Sequence, residues 1–496
     1  MKKYFKIKEI KFIILLVVIV LGTVFFRFKL NSEKTVYVNY DATYHVLLTN
    51  KAYDRTPIFD HRFLPIVSLG EKTDKGIPWG ATIPDKYGNF YYTSFPSGGF
   101  IAPYIFFKLF NLEMNVNTLF IFSSIILLVS VLGMYFLTKK ISRFLKIDNP
   151  DIPAFWSSII YIFSLETFYS HGYVYWGHSL FQPIYIIFLI FCFSLFSEEK
   201  NDKKTPLYIF ILSFALCSIE WSGYLIVTSA FLVCLFFLPK RNIKKEMIAL
   251  SLGGLLALVL FLSIFVFTVD IKAFFNALKM RFMARNITNS ISIFELFKSY
   301  WSSYYFYLFL IPFGIYRFIK LPNNMRKSLY PYIIIISGGL LENILMKQHA
   351  ISYNFDRLKF LVIFSLIVPL IWLSKKYFSK ISVVIILLSS ILTICKYPFE
   401  RTKEDEVLLE NKKVVEDIKR DCSNSILGTD KRVRGYINIT LDRGIYEHVS
   451  KEDLKKLSIE RKSNSYCYIE IEYDKFAFFY GVYGKLSFVK ENLIDK

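Results

Sequence analysis

The chain has 496 residues, is 54% hydrophobic and carries 51 Phe and 34 Tyr. Its apolar residues come in repeated runs of about 16–22, a pattern that excludes an ordinary soluble enzyme and marks a polytopic helical membrane protein. The formal charge of +21 lies largely in short basic loops between those runs. It therefore reports membrane orientation and argues against nucleic acid as a partner.

In chain order, a basic start (MKKYFKIKEIK) precedes an apolar run at 12–28 with no clean cleavage site. This predicts a retained first span with its basic end in the cytoplasm. Residues 28–98 follow as a long outer loop, polar and aromatic. Loops of this length are functional or disordered, and the Tyr and Pro content opposes disorder. Residues 100–111 are apolar but too short to cross, and read as interfacial or re-entrant. Further spans are expected near 115–137, 153–167, 180–197, 247–268, 303–319, 330–346, 359–374 and 380–395, with a tight pair in 206–238. The total is about eleven, with KKISRFLK, PKRNIKK, KLPNNMRK and KKYFSK inside and the C-terminus outside. A single pass through 206–238 would invert the second half against the charge rule. Between spans, KAFFNALKMRFMARN has the spacing of a helix lying on the interface.

The expected fold is thus an all-α polytopic membrane body, 1–396, with a small extracytoplasmic α/β domain, 397–496. In that tail, 404–420 reads as an amphipathic helix, and GYINITL and YCYIEIEYDKFAFFYG read as strands. Cys192, Cys217, Cys234 and Cys395 lie in or beside apolar runs as filler, whereas Cys422 and Cys467 would pair if the tail is extracytoplasmic.

Ionisable groups near membrane depth are costly and ask for a reason. On the predicted topology they gather on one side, together with all six His. A helix starting in VNYDATYH would place Asp41 and His45 on one face, with Asp41 as a general base or, more plainly, as a helix cap. Glu166 ends an apolar run, where it is either a solvated terminus or a second functional carboxylate. His171 and His178 are separated by Gly172 and Gly177, which favours a loop. Glu220 breaks a long apolar run and is either an outer turn or a buried functional group, with Trp221 beside it as a flat wall or an interfacial anchor. Glu342, His349, Tyr353 and Asp356 surround the outer ends of two later spans. Arg281, Arg285, Lys347, Arg357 and Lys359 form a basic set suited to a lipid phosphate, or to plain headgroup snorkelling. Arg357 in NFDRLK is the leading phosphate candidate, with Asp356 as its possible ion-pair partner. A divalent metal is conceivable through the His and carboxylates, but no tight ligand motif is present.

This layout resembles the polytopic glycosyltransferases of the GT-C class, which use lipid-linked sugar donors. They include protein O-mannosyltransferases, lipid A aminoarabinose transferases and oligosaccharyltransferases. The likeness rests on one span before a large outer loop, on Asp41 early in that loop, and on YYTSFPSGGFIAPYIFFKLF before the next span. It covers about residues 10–375 in layout. Asp41 is followed by Ala42 where some members have a second carboxylate, and the WWD motif of oligosaccharyltransferases is absent.

The resemblance implies Asp41 and Glu166 as catalytic residues. It implies Arg357 on the lipid phosphate, and the residues themselves add His45, His171, His178, Glu220, Trp221, Arg281, Arg285, His349 and Tyr353 as expected substrate-binding residues. The implied chemistry is inverting transfer from a polyprenyl-phosphate sugar to a cell-surface glycan, lipid or protein, in a bacterial cytoplasmic membrane with the site facing outward. A flippase of lipid-linked saccharides and a surface polysaccharide polymerase or ligase are the competing readings.

Overall fold

In hydrocarbon a backbone must satisfy its own hydrogen bonds, and the apolar runs accordingly become helices. The computed structural model describes the chain except residues 1, 32–34, 38, 71–74, 77–81, 197–202, 239–242, 287–291, 374–375, 400–401, 404–405, 432–434, 473–484 and 494–496. Helix α1 (Lys2–Leu30) leads into the loop, which holds β1 (Thr35–Val36), α2 (Tyr40–Arg55), the hairpin β2 (Thr82–Pro84) and β3 (Phe90–Tyr92), and then α3 (Gly98–Leu109). The body continues with α4 (Val116–Phe144), α5 (Asp151–Ile162), α6 (Leu165–Ser170), α7 (Gly177–Phe196), α8 (Thr205–Ile219), α9 (Ser222–Phe237) and α10 (Lys244–Val266). It closes with α11 (Ile271–Asn286), α12 (Ile293–Tyr304), α13 (Leu310–Ile319), α14 (Asn323–Leu345), α15 (Lys347–Ser352), α16 (Phe364–Trp372) and α17 (Lys376–Phe399).

Among the described residues, six helices are long and apolar enough to cross a membrane: α1, α4, α7, α10, α14 and α17. This corrects the expected count of about eleven. The remaining expected runs form shorter helices, among them the expected pair in 206–238, α8 and α9, of 15 and 16 residues. Ser164 caps a new helix and divides 153–167 into α5 and α6. Glu220 and Trp221 turn the chain between α8 and α9. The runs 303–319 and 359–374 include stretches of 3-10 helix, Tyr305–Phe309 and Asn354–Ile363, which precede α13 and α16. Hydropathy counts side chains, whereas crossing length depends on where the helical ladder breaks.

The outer loop is built around a core of its own. Tyr37, Val46, Leu48, Tyr53, Tyr91, Phe100, Tyr173, Trp176 and Phe265 pack together, joining α2, the hairpin and α3 to the turn before α7 and the end of α10. Gly99 permits a close approach of α3 to α7, since a Cβ there would lie 2.7 Å from the Cα of Gly177.

The tail contributes β4 (Thr402–Lys403), α18 (Glu406–Asp421), β5 (Ile426–Gly428), α19 (Tyr436–Leu441), α20 (Lys451–Glu460), β6 (Ser465–Glu472) and β7 (Lys485–Asn492). Strand β6 is central, parallel to β5 and antiparallel to β7. Its alternation holds: Cys467, Ile469 and Ile471 enter one core with Val415 and Ile418 of α18, while Tyr466 and Tyr468 enter another with Leu454 of α20. Cys422 and Cys467 form a disulfide. The expected strand GYINITL is instead helix α19, bounded by Gly435 and Asp442 in left-handed conformations. Packing on α2 overrides its β-branched composition. The second half of the other expected strand, 473–481, lies outside the described residues.

Loop and tail lie on the same end of the helical body. β1 pairs with β4, and Arg55 of α2 reaches the Asp442 carboxylate at 2.6 Å.

Candidate active site

Asp41 and His45 fall in the first turns of α2, one helical turn apart as expected. The cap position belongs to Asn39, in the left-handed region at φ 62°, so Asp41 is not the cap. Asn39 has a different task. Its amide donates to Ser352 O at 3.1 Å, and its side-chain oxygen accepts from Asn354 N at 3.2 Å. Thr43 joins α2 to the turn before α7, donating to Tyr173 O and accepting from Tyr175 N. The start of α2 is thus held against two segments that carry charged groups. His45 is buried in an aromatic wall, with ring centroids 4.6 Å from Tyr92 and 5.3 Å from both Phe100 and Trp176. Asp41 is half-buried beside it.

Glu166 and Arg357 meet. Arg357 Nε donates to Glu166 Oε1 at 2.7 Å and to Ser303 Oγ at 3.0 Å. Nη1 donates to Ala350 O and Ile351 O, and Nη2 to Asn354 Oδ1. The guanidinium expected to face a lipid phosphate is therefore engaged on protein acceptors, and it locks α15 and the Asn354–Ile363 turn into shape. Asp356 does not pair with Arg357, its sequence neighbour.

Asp356 instead joins a second, fully buried group. Lys359 Nζ lies 2.8 Å from Glu220 Oε1, 2.5 Å from Glu342 Oε2 and 3.0 Å from Asp356 Oδ1. His178 Nε2 lies 2.9 Å from Asp356 Oδ1 and 3.1 Å from Glu220 Oε1, and His349 Nδ1 is 3.3 Å from Asp356 Oδ2. Phe95 bridges this group to the aromatic wall, 5.7 Å from His178 and 5.5 Å from Trp176. Glu220 is at the turn between two helices and is also completely buried, with Lys359 of the 3-10 turn set against it.

The other expected residues divide. Tyr353 stacks on Phe355 and lies 4.6 Å from His349, within the site. Trp221 donates to Ser94 O at 2.8 Å and packs on Phe261, and Arg281 Nε donates to Ser94 Oγ at 3.2 Å, so both border the loop core. The side chain of Arg285 lies outside the described residues. His171 bonds Tyr161 OH at 2.7 Å, and its carbonyl accepts from Arg27. Arg27 and Ser303 were not anticipated. A lone arginine inside the first apolar run was the available signal for Arg27, since it caps the C-terminal end of α6.

Among the described residues, two sets of side chains have ligand atoms within 4.8 Å of one another: His178, His349 and Asp356, and Glu220, Glu342 and Asp356. Imidazoles with a carboxylate suit a zinc-type ion, and an all-carboxylate set suits a magnesium-type ion. The centre of the second set is taken by the Lys359 ammonium.

No protein-family model and no curated protein matches this chain. Solved structures do, and they define the fold as that of the polytopic GT-C membrane glycosyltransferases. One is ArnT from Cupriavidus metallidurans bound to undecaprenyl phosphate, at TM-score 0.58 and 9% identity over 92% of both chains. Another is the apo oligosaccharyltransferase of Archaeoglobus fulgidus, at TM-score 0.55 and 10% identity over 93% of this chain and 69% of that one. A third is AglB from Archaeoglobus fulgidus in complex with an inhibitory peptide and a dolichol-phosphate, at TM-score 0.53, 10% identity, and 91% and 69% coverage.

Proposed function

We propose that this chain transfers a sugar from a polyprenyl-phosphate donor to an acceptor outside a bacterial cytoplasmic membrane, with inversion at the anomeric carbon. The membrane body, 1–396, supplies the site, and the tail, 397–496, lies over the same outer face. The acceptor hydroxyl attacks the anomeric carbon, the bond from that carbon to the phosphate oxygen breaks, and the lipid phosphate leaves with the bonding pair. Asp41 takes the acceptor proton. The observation that carries this reading is Asn39, which holds the first turn of α2 against the segment bearing Tyr353, Asp356 and Arg357. The fold adds support, since structures sharing it hold undecaprenyl phosphate and a dolichol-phosphate.

Within this reading Arg281 and Lys347 supply positive charge to the phosphate. They lie on α11 and α15, which pack together, and both are half-buried. Arg357, with Glu166, shapes the adjoining turn. His45, Trp176 and Tyr92 line the sugar side, and His178, His349 and Tyr353 adjoin it. His178, His349 and Asp356 would hold a divalent ion. Bound there, it would add Lewis-acid charge beside the phosphate. The acceptor class is a glycan, lipid or protein of the cell surface.

The test uses purified protein, one polyprenyl-phosphate sugar and a matched acceptor. Asp41→Asn keeps the shape but takes no proton, and transfer should fall by about 10²–10⁴-fold. Asp54→Asn and Asp60→Asn are controls, because both carboxylates are exposed and Asp54 pairs with Lys108 on the surface. An Asp41→Asn variant with full turnover would remove Asp41 from the mechanism. A wild type that moves labelled lipid-linked sugar across vesicles without transferring it would establish the flippase reading instead.

A further inference from the structure

We propose that the Lys359 ammonium is a built-in substitute for a divalent cation, filling a cage of Glu220, Glu342 and Asp356 and thereby positioning His178. The inference goes beyond the transfer reaction, and only its activity readout rests on that reading. An ammonium has three N–H donors and no acceptor. Lys359 has three carboxylate acceptors, at 2.8, 2.5 and 3.0 Å. The ligands converge from separate elements: Glu220 from the turn between α8 and α9, Glu342 from the last turn of α14, and Asp356 with Lys359 from the 3-10 turn. Oxygen-only convergence of this kind is what a hard divalent ion requires.

The charge count points the same way. Three buried carboxylates surround one monovalent ammonium, an excess of acid that two positive charges would balance better. His178 and His349 stand against the same carboxylates and share the remainder. Among the described residues Glu220 Oε2 has no hydrogen-bond partner and is buried, leaving a further oxygen at the cage. Removing the ammonium therefore leaves mutually repelling carboxylates with the right atoms to take an ion. The same contacts explain how Lys359 acts at a distance. It holds the two oxygens, on Glu220 and Asp356, that fix His178 Nε2.

The experiment uses the full chain in detergent, stripped with chelator and titrated with Mn²⁺ while free ion is read by electron paramagnetic resonance. Thermal unfolding is followed in parallel. Wild type should show no Mn²⁺ binding that depends on Glu342, and any shift of its unfolding midpoint in chelator should be matched in Glu342→Gln. Lys359→Ala should lose stability and transfer, take up one Mn²⁺ per chain beyond whatever wild type binds, and regain both properties in part. If Lys359→Ala does not fold in chelator, Mn²⁺ present during extraction should recover it. Lys359→Met with Glu342→Gln removes one charge of each sign, and should fold without added metal and bind no more than wild type. A wild-type Mn²⁺ site that Glu342→Gln abolishes would overturn the proposal. So would a Lys359→Ala variant that is stable and active in chelator, or one that Mn²⁺ leaves unchanged. Binding and unfolding are measured without sugar donor. An inactive wild type would thus sink the transferase reading and leave this inference standing.

Discussion

Two buried lysines sit at opposite ends of the helical body and are held differently. Lys139, near the end of α4, lies 2.6 Å from Asp151 and 3.1 Å from Glu9, and it ties α4 to α5 and α1. Lys359 meets three carboxylates with two imidazoles alongside, next to an aromatic wall and the first turn of α2. Burying either cation carries a desolvation cost that only close partners offset. At Lys139 there are two carboxylate partners and no imidazole, and Glu9 remains partly in water. At Lys359 the acids outnumber the base, and every member is buried. The contrast separates a clip between helices from a site. A buried ion pair alone is weak evidence of function, whereas convergent titratable groups beside an aromatic wall are stronger.

The largest expected effect comes from Arg357→Ala, which leaves Glu166 buried without its cation. Stability should fall by about 3–5 kcal/mol, read as a drop in thermal midpoint, and transfer should fall with it. Arg357→Lys should recover only part, because a point charge replaces a fork with five donors. An alanine variant of unchanged stability would make the Glu166 pair dispensable and weaken the contrast with Lys139.

Lys139→Ala should cost less, about 1–3 kcal/mol, since Glu9 is partly solvated and only Asp151 is left buried. Transfer per folded molecule should stay at the wild-type level. Lost turnover at full folding would show that this end also serves the reaction.

The smallest effect is a pH slope in the outer loop. His61 bonds Thr56 Oγ1 at 2.5 Å and Tyr91 OH at 2.9 Å, and burial holds its pKa below the ordinary 6.5. The folded loop therefore binds fewer protons than the unfolded chain near that pH. Its contribution is complete above pH 6.5 and declines as pH falls below it. Thermal midpoints at descending pH should decline more steeply in wild type than in His61→Gln. Parallel slopes would remove His61 from the account.

Periodicity and charge in the chain by themselves determined a helical membrane body, an ordered outer loop and a small mixed tail. Apolar run length and basic loops are properties of consecutive residues, and so is the alternation in β6. The same local signals picked out Asp41, His45, Glu166, His178, Glu220, His349 and Arg357 as groups too costly to be idle. Tertiary structure decided how they pair. Asp356 and Arg357 are adjacent in sequence, yet one joins Lys359, His178 and His349 while the other joins Glu166. Partners 139 and 191 residues apart meet only after the helices pack. Helix continuity was also settled at this level, because local breaks in the backbone ladder left six crossing helices among the described residues. The helix at Tyr436–Leu441 follows the same rule: a short β-branched stretch takes the conformation that its docking on α2 allows.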